Sequence, residues 1–139
     1  MNSSVTLRLP NRYDALTKAA EDTTSFLEAR GAPADAVFAA NLAIEELVTN
    51  IVKYGYDDNE THEIVLVIKV ENRAVLIEIS DDGHPFNPFD QPDPDTSLPA
   101  EERPIGGLGI HFVRNMLDTW DYARREGRNV VTLTKKLSV

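Results

Sequence analysis

The chain has 139 residues, no cysteine, and 23 acidic against 14 basic side chains, for a formal net charge of −9. That length suits one domain with an ordinary core, the lack of cysteine excludes a thiol nucleophile, a zinc-thiolate site and a redox role, and the acidic balance argues against direct nucleic-acid binding. No stretch approaches the ~20 apolar residues of a membrane span, and Met1-Asn2-Ser3-Ser4-Val5 leads to Arg8 and Pro10 rather than to a signal-type apolar run, so a cytoplasmic chain without membrane contact is expected.

Val5, Leu7 and Leu9 alternate with Thr6 and Arg8, which predicts a half-buried strand that Pro10 stops. Asn11 is placed to cap a helix that has Asp14 in its first turn and Leu16, Ala19, Ala20, Thr23, Phe26 and Leu27 at helical spacing, up to Gly31. Pro33 opens a second and longer helix, from Ala34 to about Tyr54, with no breaker before Gly55. His62 to Glu71 and Ala74 to Asp81 alternate as two strands joined through Asn72 and Arg73, a hairpin. Between His84 and Pro104 lie six of the chain's eight prolines, interleaved with acids, so this segment reads as a long loop of the kind that forms lids. Gly106 to Gly109 leads into a third helix, Ile110 to Leu117, and Trp120 to Glu126 and Asn129 to Leu137 form a last hairpin around Gly127. The order predicts an α+β fold: a two-layer α/β sandwich with helices on one face of a mixed, mostly antiparallel sheet, as one domain over 1–139 with a lid at about 84–105.

Three short constellations carry chemistry. On the long helix, Glu46 and Asn50 stand four residues apart and share a face, while Glu45 is turned by about 140° toward solvent. The pair reads either as a solvated glutamate with an amide neighbour or as a general base beside a Mg²⁺ ligand, because Mg²⁺ takes hard oxygen donors and few of them from protein. Ala39 and Ala43 flank it and would let another body approach the helix. In the second constellation alternation puts Asp81 on the same strand face as Val75, Ile77 and Ile79, so a carboxylate is aimed inward at a strand end; Asp82 points outward, and Gly83 permits a positive φ or a close approach. Such an acid needs donors, and a purine amino group is one fitting partner; the plainer reading is a turn that closes the strand. The third, Gly106-Gly107-Leu108-Gly109, is either a hinge or a helix-start cradle for phosphate. No Gly-Lys-Ser/Thr exists for a P-loop, and no strand directly precedes the glycines as a Rossmann turn requires.

Taken jointly and in this order, the three point to nucleotide binding, and here the sequence resembles a known family. Glu46-Leu47-Val48-Thr49-Asn50 is similar to the N box, Asp81-Asp82-Gly83 to the first glycine box and Gly107-Leu108-Gly109 to the second glycine box of the histidine-kinase-like (Bergerat) ATPase fold shared by gyrase, histidine kinases and mismatch-repair ATPases. The Thr-Asn of the N box and Pro85-Phe86-Asn87-Pro88 resemble the bacterial anti-sigma-factor serine kinases within it. The resemblance implies Mg-ATP or Mg-ADP bound under a lid: Asn50 on the metal, Asp81 on the adenine amino group, Gly83 at the ring, Gly107, Leu108 and Gly109 near the phosphates, and Glu46 as the base for a serine hydroxyl. Lys53 either approaches the phosphates or stays solvated. Two departures stand out: Pro85 replaces the last glycine of the first box, and the adenine-contacting threonine of a late strand has Thr132 and Thr134 as candidates, with neither required. Implied partners are a STAS-type antagonist protein as substrate, a sigma factor to sequester, and a second copy in a homodimer. The alternative is an ATP-binding switch that sequesters a protein partner without transferring phosphate.

Overall fold

The computed structural model describes residues 3–90 and 107–137, with side chains in the second stretch from 109 onward. In chain order the elements are β1 (Ser3–Pro10), α1 (Ala15–Glu28), α2 (Ala34–Tyr54), β2 (Glu63–Glu71), β3 (Ala74–Asp81), a 3₁₀ turn (Pro88–Asp90), α3 (Gly107–Met116), β4 (Thr119–Arg125) and β5 (Arg128–Lys136). The strands form one sheet in the order β1-β2-β3-β5-β4, and all four pairings are antiparallel. Both hairpins turn through two residues of positive φ, Asn72 and Arg73 in one, Glu126 and Gly127 in the other, the twist that tight hairpins favour.

Alternation fixes which face is covered. Ile64, Leu66 and Ile68 of β2, Val75, Ile77 and Ile79 of β3, and Val131 and Leu133 of β5 are buried, and they share one core with Leu27 of α1, Ile44, Leu47 and Val48 of α2, and Ile110 and Val113 of α3. Each such side chain withdrawn from water contributes roughly 1.5–3 kcal/mol, so a slip of one residue in register would expose the whole set. The long helix is central, packing on α1, α3, β3 and β5. Its buried Ala36, Ala39, Ala40 and Ala43 allow that crowding. The bodies expected to approach beside Ala39 and Ala43 are parts of this chain.

Three local differences from the sequence reading have physical reasons. Asn11 does not cap α1. Its backbone N–H bonds to the His62 carbonyl at 3.0 Å and its Oδ1 accepts the His62 N–H at 2.8 Å, which clasps the end of β1 to the start of β2. Helix α1 starts after Asp14, whose side chain makes no capping bond. Gly107–Gly109 are the first residues of α3 and not a loop before it. Of the expected lid at about 84–105, residues 91–105 lie outside the described residues. No described helix is long and apolar enough to cross a membrane.

Candidate functional site

A cleft opens between α2 and the ends of β3 and β5, lined in part by Leu47, Asn50, Gly55, Asp81, Phe86 and Asn129. Its floor is Asp81, 3% exposed and facing inward with Ile77 and Ile79, as alternation requires. A buried carboxylate survives only where donors meet it. Oδ2 accepts two, the Gly83 N–H at 2.9 Å and the Asn129 Nδ2–H at 3.1 Å, and among the described residues Oδ1 accepts none. Burial pushes the carboxyl above its ordinary range, and the bonds from Gly83 and Asn129 pull it part of the way back.

Gly83 owes its identity to backbone contact. Its φ is not positive, and a Cβ there would sit 2.6 Å from the Gly55 carbonyl oxygen and 2.9 Å from Asp81 Oδ2. The close approach comes from the end of α2, and the His84 N–H donates to the same Gly55 carbonyl at 2.9 Å. The turn after β3 is thereby docked on the C-terminus of α2, outside which Asp82 accepts the Tyr56 hydroxyl at 2.7 Å. That bond lowers the Asp82 carboxyl and, after burial, helps to raise the Tyr56 hydroxyl.

On α2 the two adjacent glutamates separate as the helical register demands: Glu45 is exposed and Glu46 half-buried. Desolvation raises the Glu46 carboxyl above its usual range, and the neighbouring Glu45 charge adds to it. The start of α3 lies against it, since a Cβ on Gly109 would collide with the Glu46 carboxylate. Two of the sequence constellations thus meet at Glu46 and Gly109, where a side chain would displace the flexible end of Glu46. Asn50 lines the cleft, and no described residue hydrogen-bonds its carboxamide. Lys53 is exposed, with its ammonium 5.2 Å from the Tyr54 ring centre, and does not line the cleft. Gly107 opens α3, and the side chain of Leu108 lies outside the described residues.

Sequence reasoning missed Asn129. It pairs with Asp81 across β3 and β5 and is 4% exposed. Thr132 and Thr134 are opposite in phase to the buried Val131 and Leu133, so both face the other side of the sheet, away from the cleft. The signal was present: counting back by two from Leu133 and Val131 reaches Asn129. What was missing was the long-range register that sets it beside Asp81.

Residues 9–135 match the histidine kinase-like ATPase domain family. The chain belongs to that family. It is 28% identical over 97 residues to the serine/threonine-protein kinase BtrW of Bordetella bronchiseptica, covering 70% of this chain and 68% of the relative. Over 147 aligned positions it is 25% identical to the serine-protein kinase RsbW of Listeria monocytogenes, covering 99% and 90% of the two chains. A solved structure of the RsbU and RsbW domains of Rv1364c from Mycobacterium tuberculosis superposes with a TM-score of 0.72 at 18% identity, over 99% of this chain and 33% of that one, which shows a shared fold. The two-layer α+β architecture and the resemblance to serine kinases are both borne out, and the family is one of ATP-binding domains.

Proposed function

We propose that the cleft binds Mg-ATP and that the chain is a serine kinase acting on a small protein. The observation that carries the reading is Asp81: a cleft-lining carboxylate almost wholly withdrawn from water, with one oxygen bonded by Gly83 and Asn129 and the other bonded by no described residue. An acceptor so placed suits the exocyclic amine of adenine. Gly83 and Gly55 would lie close to the ring, and Gly107, Leu108 and Gly109, at the N-terminus of α3, would lie near the phosphates, where exposed N–H groups and the helix dipole favour negative charge.

The residues on α2 suit a magnesium ion. Asn50 offers on the cleft wall a carboxamide oxygen that no described residue bonds, the hard donor that Mg²⁺ accepts while keeping most of its ligands as water and phosphate. When bound, the ion neutralises charge on the transferring phosphoryl group. Glu46, one turn earlier on the same helix, is the group to take the proton of the attacking serine hydroxyl, and its raised pKa makes it a better base for that role than an exposed glutamate. Lys53, exposed at the last turn of α2, would need to swing inward to reach phosphate. The names of the relatives support protein-serine phosphorylation; the sequence resemblance further supports a STAS-type antagonist as the substrate, a sigma factor as the sequestered partner, and a homodimer, in the cytoplasm. A phosphate-transfer assay from labelled ATP to STAS-domain proteins encoded nearby tests it. Transfer to serine in one of them is expected; nucleotide binding with no transfer to any would instead favour a switch that holds ATP and sequesters its partner without chemistry.

A further inference from the structure

Asn129 sits in the cleft wall with nothing left to give a ligand. A carboxamide has two N–H donors and two acceptor lone pairs. Here Nδ2 donates to Asp81 Oδ2 at 3.1 Å and to the His84 carbonyl at 2.7 Å, while Oδ1 accepts the Tyr122 hydroxyl at 2.6 Å and the Phe86 N–H at 3.2 Å. All four positions are filled. The amide ties together β3, the 84–86 segment and β4, and three of the residues it holds, Asp81, His84 and Phe86, themselves line the cleft.

The consequence lies in Asp81. Its other donor, the Gly83 N–H, lies two residues along the chain in the turn docked on α2, and Asn129 adds a second from a neighbouring strand. Rotating the carboxylate therefore breaks a bond fixed to the sheet and leaves a buried donor unpaired. We propose that Asn129 is the positioning residue for base selection: it touches no ligand, and by pinning Asp81 Oδ2 it leaves a single acceptor oxygen facing the cleft, which selects a purine bearing an exocyclic amino group over one bearing an oxo group. This rests on the cleft being a purine-nucleotide site. Without Asn129 the carboxyl can turn, and it also loses a donor that favours its ionised form. A protonated carboxylic acid can donate to an oxo group, so both changes erode the discrimination.

The test is calorimetric titration of the full chain with Mg-ADP and with Mg-IDP, which differ at the amino or oxo group of the base. Wild type should prefer ADP. Asn129→Ala and the near-isosteric Asn129→Leu should narrow that preference by about ten-fold, through weaker ADP binding with IDP binding little changed. Tyr122→Phe removes one support of the amide and leaves both of its N–H bonds, so it should narrow the preference by only about two-fold. If both Asn129 variants fail to show a cooperative melt, Tyr122→Phe decides alone, and an unchanged preference there overturns the proposal. Equal weakening of both nucleotides by Asn129→Ala would also overturn it, assigning the residue to packing while the nucleotide site stands. Wild type with no preference for ADP would remove the base-site reading and the proposal together.

Discussion

At the β3 end of the cleft, Asp81 is held by two N–H donors, one of them from a side chain whose every polar atom is bonded; on α2, Glu46 and Asn50 accept no hydrogen bond from any described residue. Both regions carry a carboxyl whose pKa is raised by burial, yet one is locked by hydrogen bonds and the other, among the described residues, packs against Gly109 without one. The contrast follows the tasks proposed for them. A base is the same in every turnover, so rigid acceptors lower the cost of binding it. Metal, phosphate and serine must be accommodated together and then released, and groups that carry no prior hydrogen bonds can reorient without breaking any.

Glu46→Gln breaks the comparison most sharply. It keeps size and one acceptor oxygen but cannot take a proton, so serine phosphorylation should fall by roughly 10²–10⁴-fold while Mg-ADP affinity stays within about two-fold. Steady-state transfer and calorimetry measured on the same preparation check this. A matching loss of affinity would mean that Glu46 belongs to the binding region and that the division drawn here is misplaced.

Asp81→Asn attacks the locked end. The new amide can keep its oxygen toward Gly83 and Asn129, which turns its NH₂ into the cleft, where it opposes the adenine amine with a second donor. Loss on the order of 1–3 kcal/mol of ADP affinity is expected, with IDP losing less and the melting temperature nearly unchanged. Undiminished ADP binding would show that Oδ1 is not the base acceptor. Gly83→Ala should register in stability instead: a Cβ 2.6 Å from the Gly55 carbonyl oxygen meets rigid backbone, so thermal unfolding should show a loss of about 1–3 kcal/mol. An unchanged melt would mean that the turn is not docked on α2 as described.

The two regions also differed in how much the sequence revealed. Glu46 against Glu45 and Asp81 against Asp82 were separable because helical and strand periodicities are local, and the residues that bury each face lie within a few positions. The limits of α2 and β3 were legible for the same reason, with Gly55 and the Asn72-Arg73 turn as punctuation. Asn129 and the reason for Gly83 were not legible, because each depends on a partner far along the chain: Asp81 for one and Gly55 for the other. Asn11 misled because an asparagine at a strand end bonds equally well to a neighbouring strand or to a helix start, and only the β1–β2 pairing decides between them. In the same way, Thr132 and Thr134 were candidates by residue type alone, and their strand phase turns both away from the cleft.

The smallest expected effect sharpens the loose end. Glu46's carboxyl is raised first by desolvation and second by the charge of Glu45, so the folded protein holds that proton more tightly than the unfolded chain does. Two consequences follow in the same pH window, between the unfolded pKa of a glutamate and the higher folded one. Stability conferred by the protonated form is present below the window and is lost as pH rises through it. Transfer activity runs the other way, because a base works only when deprotonated, and should climb across the window. Glu45→Gln removes the like charge but leaves the burial. The acid limb of the rate profile should therefore move to lower pH, with the plateau rate and ADP affinity unchanged, since Glu45 faces solvent. Added salt should produce part of the same shift in wild type by screening the pair, and little in Glu45→Gln. If Glu45→Gln instead abolishes the plateau, Glu45 is the base and the assignment of helix faces on α2 is inverted; if the acid limb stays where it was, the group that titrates in the rate is not Glu46.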